Sequence, residues 1–196
     1  SIMNILLLDV YPHVDYRISK DQNGGYGTAN DYGKTLFTKF LKFVVNKSIE
    51  FPQFFSVQVL GELKDANHSV KYSKTIPDNL EFFDFIILAS SIVCHETEIE
   101  TIKKLRKFNK IVFAIGPFAT SNPENYIQAG AKVIKGEPEM FFHKFKKTNE
   151  EIKELPNLID NVINIDINDL AIPAWDIIFK NYTPRFKFLG KEPAVN

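Results

Sequence analysis

Short, continuous apolar runs alternate along this chain with longer stretches of helical period, and that alternation predicts an α/β fold. Residues 4–9 (NILLLD), 85–89 (FIILA) and 111–115 (IVFAI) are apolar at nearly every position, as strands buried on both faces of a parallel sheet must be. Residues 69–72 and 132–135 complete a set of five strands. From Tyr32 onward Leu36, Phe37, Phe40, Leu41, Val44 and Val45 recur on one helical face, while Lys34, Lys39 and Lys42 take the other. Further helices are predicted over residues 54–65 and over 96–108, where Ile99, Ile102 and Leu105 fall three apart. A short helix led by Asn122-Pro123-Glu124 closes at Gly130, and a last one covers 139–147.

Strands joined by helices require right-handed crossovers. The predicted architecture is therefore a flavodoxin-like (Rossmann-like) five-stranded parallel sheet of order 2-1-3-4-5, with helices on both faces. Residues 11–30 form a long polar, glycine-bearing loop, and loops of that length are usually functional or disordered. After Thr148 the texture changes, and Pro156, Pro173 and Pro184 interrupt any long helix. Residues 1–148 thus read as one α/β domain and 149–196 as an irregular linker.

Composition narrows the function classes. The chain has 196 residues, 44% of them hydrophobic, enough for one well-packed domain with an extension. Lys plus Arg and Asp plus Glu number 24 each, so no global field favours nucleic acid or an anionic membrane, and neither is an expected partner. A single cysteine, Cys94, excludes an internal disulfide, a multi-cysteine zinc site and a self-contained iron–sulfur cluster. That usage suits a reducing, cytoplasmic setting. The apolar residues 5–10 are too few to span a bilayer and lack the basic flank of a signal peptide. Met3 reads as the native start.

Candidate chemistry gathers where strands end. Two successive strands run into Gly116-Pro117 and Gly136-Glu137, and the strand before them runs into Ser90-Ser91. In open α/β sheets ligands sit outside these carboxyl ends, and glycine there lets backbone approach a ligand. The motifs are Gly116-Pro117-Phe118-Ala119-Thr120, then Pro123-Glu124 with Gly130-Ala131-Lys132, then Gly136-Glu137-Pro138-Glu139. They resemble the N-terminal cobalamin (B12)-binding domain of B12-dependent radical SAM enzymes, whose pattern reads roughly G-G-P-x-A-T, P-E-x-x-x-x-x-G-A-D and G-E-x-E. Ile115 replaces the first glycine of the pair and Lys132 the aspartate. The run Asp169-Leu170-Ala171-Ile172-Pro173-Ala174-Trp175-Asp176 is similar to the family's linker, D-L-x-x-x-P-x-P-x-W-D, with one of its two prolines.

The resemblance implies base-off cobalamin, its nucleotide tail buried along the sheet and its corrin over the strand ends. Ser90, Ser91, Gly116, Pro117, Gly136 and Glu137 would then line the site, and a bulky residue at Gly116 would enter the tail's slot and spare the core. The family's serine element, S-x-L, reads here as Ser90-Ser91-Ile92 or Ser91-Ile92-Val93; the alternative is that both serines cap the helix beginning near His95. His13 lies where the motif D-x-H-x-x-G places a cobalt ligand, but Asp9 stands four before it and Tyr16 replaces the glycine. The loop holding Gly24, Gly25 and Gly27 could wrap corrin amides or remain a surface loop. Relatives continue into a C-x-x-x-C-x-x-C motif that holds a [4Fe-4S] cluster and works with S-adenosylmethionine. With no such motif in the sequence, this chain should be inactive alone, its parent a radical SAM methyltransferase and its partner that parent's radical SAM domain.

Two other readings stay open. One is a degenerate domain of the same fold acting as an interaction module without cofactor. The other is a P-loop-like nucleotide binder, suggested by Gly33-Lys34-Thr35, although Thr28 stands where the first P-loop glycine belongs. His68, His95, His143, Cys94 and Trp175 read as structural.

Overall fold

The computed structural model describes residues 1–12, 53–161 and 165–177. The predicted helix beginning at Tyr32, His13 and the Gly24-Gly25 loop all lie outside these residues. In chain order the described elements are β1 (Asn4–Leu8), α1 (Phe54–Asp65), β2 (Ser69–Ser73), a 3-10 turn (Leu80–Phe82), β3 (Phe85–Ala89), α2 (His95–Lys107) and β4 (Val112–Ile115). There follow α3 (Pro117–Ser121), α4 (Pro123–Ala129), β5 (Lys132–Lys135), α5 (Pro138–Phe142), α6 (Asn149–Glu154), β6 (Leu158–Asp160) and a second 3-10 turn (Ile167–Asp169).

The strands form one parallel sheet of order β2-β1-β3-β4-β5-β6. It keeps the predicted 2-1-3-4-5 order and adds a sixth strand at the edge, inside the stretch expected to be linker. The fold is thus α/β with an all-parallel, flavodoxin- or Rossmann-like sheet. Period-two alternation splits each apolar run between two cores. Ile5 and Leu7 of β1 join Phe85, Ile87 and Phe113 beneath α1 and α5, while Leu6 and Leu8 join Ile86, Leu88 and Ala114 beneath α2 and α4. The first core is unusually aromatic. Phe85 meets Phe113 edge-on at 5.3 Å, and Phe141, Phe142 and Phe145 pack around them.

One helical expectation needs adjustment. The helix predicted over 139–147 stops at Phe142, because Lys144 takes φ +48° and turns Phe145 back into the core. A new helix, α6, then starts on a capping box: the Thr148 side chain accepts from the Glu151 amide, and the Glu151 carboxylate accepts from the Thr148 amide at 2.7 Å. No helix among the described residues is long and apolar enough to cross a membrane.

Candidate functional site

The carboxyl ends of β3, β4 and β5 lie side by side, so the sheet brings Ser90-Ser91, Gly116-Pro117 and Gly136-Glu137 to one edge, as the spacing predicts. Each end is then fixed differently. Ser90 is fully buried; its amide donates to Ile115 O at 2.9 Å, which prolongs the β3–β4 pairing by one bond. Its hydroxyl oxygen accepts from the Ala119 amide at 3.0 Å and so anchors the first turn of α3.

Ser91 belongs to a buried polar knot. Its amide and hydroxyl donate to the two carboxylate oxygens of Glu98 at 2.9 and 2.7 Å, and its hydroxyl accepts from the Cys94 amide at 3.1 Å. Tyr126 of α4 donates to the same carboxylate at 2.7 Å. Burial foremost, and then the Glu98 charge, drive the Tyr126 phenol far above its ordinary range, which keeps it a donor. Glu98 is wholly buried, and the Ser91 amide, the Ser91 hydroxyl and the Tyr126 hydroxyl all donate to its carboxylate. Ser91 therefore shapes the entry to α2, while Ser90 serves α3. Neither serine caps α2 as the alternative expected: Cys94 stands at its N-cap without a side-chain cap bond, and Ser91 holds the turn before it.

Gly116 has φ +106°, and a Cβ built on it would stand 2.6 Å from Phe55 Cζ and 2.9 Å from Ser90 Oγ. This corrects the expectation that a bulky residue there would spare the fold: the space is filled by protein, and the backbone conformation itself disfavours a side chain. Pro117 is the exposed first residue of α3. Gly136, with φ +86°, is exposed, an added Cβ meeting only Asn161 O at 4.0 Å, and its amide donates to Thr120 Oγ1 at 3.0 Å, tying the β5 end to α3. Glu137 is exposed, and its carbonyl accepts from Asn161 at 2.8 Å.

The start of α1 contributes residues that the sequence did not single out. Gln53 reaches across to the β3 end, donating from Nε2 to Ser90 O at 3.1 Å. Its Oε1 is buried without a hydrogen-bond partner, and so is Ser56 Oγ one turn on. Phe55 lies between them in sequence and sets its ring against Gly116. The β1 end adds Asp9, a buried carboxylate that accepts from Tyr72 Oη at 2.6 Å.

The described histidines are held in place. His68 bridges the Met3 amide and Phe145 O, His95 bonds Ile92 O, and His143 lies 2.9 Å from Glu62. Cys94 is buried, as expected of a small apolar residue. Among the described residues no cluster of His, Cys, Asp and Glu could hold a metal ion. His13, Gly24, Gly25 and Gly33-Lys34-Thr35 lie outside the described residues. No family model, curated protein or solved structure matches this chain.

Proposed function

We propose that the edge formed by β3, β4, β5 and the start of α1 binds a cobalamin, as the glycine and serine motifs suggest. The observation that carries this reading is a pair of orphaned buried polar atoms at the start of α1, where Gln53 reaches Ser90. Gln53 Oε1 and Ser56 Oγ have no protein partner, and a buried acceptor without a donor costs about 1–3 kcal/mol. The amide-bearing periphery of a corrin supplies N–H donors, and its nucleotide tail supplies hydroxyls. The open face at Gly136 gives backbone access for a flat macrocycle, with the exposed Glu137 beside it. Phe55 must turn aside for a tail to reach Gly116. Ser90 and Ser91 then act chiefly by holding the strand ends in place, since their hydroxyls already serve Ala119, Cys94 and Glu98.

A bound cobalamin would supply a transferable alkyl or methyl group. Methyl transfer by a longer radical SAM parent, with its [4Fe-4S] cluster and S-adenosylmethionine, rests on the resemblance alone. The single buried thiol suits a reducing, cytoplasmic setting.

A second reading, an interaction module of the same fold without cofactor, is favoured by one specific observation: the Phe55 ring already occupies the position a tail would take. Mixing the protein with hydroxocobalamin, desalting and recording the visible spectrum separates the two. Corrin absorption retained in about one-to-one ratio, and strengthened in Phe55→Ala, is the expected result. A colourless, folded protein in both cases overturns the cofactor reading.

A further inference from the structure

The segment from Ala171 to Asp176 crosses α1, held by an unusual set of contacts. Gln58 Nε2 donates to Ala171 O at 2.7 Å, while the Ala171 amide donates to Glu62 Oε1 at 2.6 Å. Two side chains one helical turn apart thus read both main-chain groups of a single residue. Next along, the Ala174 amide donates to Val57 O at 3.2 Å, and Asp176 pairs with Lys64 at 2.6 Å. Gly61 sits under the crossing. A Cβ there would collide with the Ile172 carbonyl oxygen and lie 3.2 Å from Pro173 Cα.

Apolar support for this docking is confined to its second half, where Ala174 is buried and Trp175 packs against the first core. Ile172 is 87% exposed, and within 171–174 only Ala174 is buried. Glu62 meanwhile keeps a second partner, His143 at 2.9 Å, so its carboxylate is not stranded when the segment leaves. A peripheral segment held mainly by main-chain hydrogen bonds to one helix, with its first half exposed or half-buried, can open below the global unfolding free energy. We infer that residues 171–176 form a reversible strap, seated on a main-chain-reading face of α1 built from Gln58, Gly61 and Glu62, which opens while the sheet stays folded. Opening uncovers the Gln58–Glu62 face and releases Trp175. It requires no ligand, so the inference stands independently of the cobalamin reading.

Trp175 is the only tryptophan in the chain, and it packs against the first core, so its emission reports the strap alone. Gly61→Ala is the decisive variant, because alanine favours the helix by about 1 kcal/mol while its methyl group strikes the strap backbone. The expected result is a red-shifted Trp175 emission and amide exchange at Ala171 and Ala174 faster by about tenfold or more, with the urea midpoint by circular dichroism unchanged or raised. Gln58→Ala should shift the same signals less, by removing one anchor only. In the wild type, Trp175 emission should change in urea ahead of the circular dichroism. Emission and exchange unaltered by Gly61→Ala would overturn the inference. So would a wild-type transition in which tryptophan and circular dichroism signals coincide, since the segment would then belong to the cooperative core.

Discussion

Gly116 and Gly136 end adjacent strands, both at positive φ, yet their surroundings differ enough to separate two costs. At Gly136 an added Cβ finds nothing nearer than Asn161 O at 4.0 Å, so alanine meets only the backbone strain of a left-handed position. At Gly116 the same methyl must also displace Phe55 and Ser90 Oγ. Gly136→Ala should therefore cost about 1–2 kcal/mol, and Gly116→Ala about 1–3 kcal/mol more, read from urea midpoints at unchanged slope. Equal costs would mean that Phe55 yields freely, which would itself make room for a ligand. Around Ser91 the logic is one of satisfaction: three donors converge on one carboxylate, and each is lost at the expense of a buried group left unpaired. The strand ends are thus rigid at β3, packed at β4 and open at β5.

Among elements, the clearest test concerns α6, whose capping box joins Thr148 to Glu151. The helix is six residues long and buries Ile152, so its first turn carries much of its stability. Thr148→Ala should lower the unfolding free energy by about 1 kcal/mol, with Thr148→Asp restoring most of it, again by urea titration. This helix also marks where sequence reading ran out. Runs such as 85–89 declare themselves because every position is buried, and Asn122-Pro123 with Gly130 brackets α4 from both ends. Phe141, Phe142 and Phe145 fit a helical period equally well, but a positive φ at Lys144 delivers Phe145 to the core by a turn instead. β6 buries one residue, Ile159, out of three, which is too little pattern to stand out from a loop. The serines and glycines of the candidate site were legible because strand ends are. Gln53, Phe55 and Ser56 were not, since their role arises only when α1 packs across β3 and β4, with Gln53 bonded to a residue 37 positions away.

On the scale of the whole molecule, Glu139 couples folding to pH. It sits on α5 between the charges of Glu137 and Glu62, with Oε2 buried and lacking a hydrogen-bond partner. Burial above all, opposed by a hydrogen bond to its own backbone and reinforced by these two carboxylates, raises its pKa from 4.5 to about 7. Between those values the folded protein keeps a proton that the unfolded chain has lost. Raising the pH therefore favours unfolding across the window, and the loss is complete once both states are ionised above about pH 7. The shift corresponds to roughly 3 kcal/mol. Glu139→Gln removes the ionisation and should be more stable than the wild type by roughly that amount at pH 8, with the difference shrinking toward zero near pH 4.5. Urea titrations of both proteins at several pH values give the answer, because every other titrating group cancels in the comparison. A constant difference between the two proteins at all pH values would place the proton elsewhere, and a less stable variant at pH 8 would mean that the ionised carboxylate contributes favourably where its neighbours are negative.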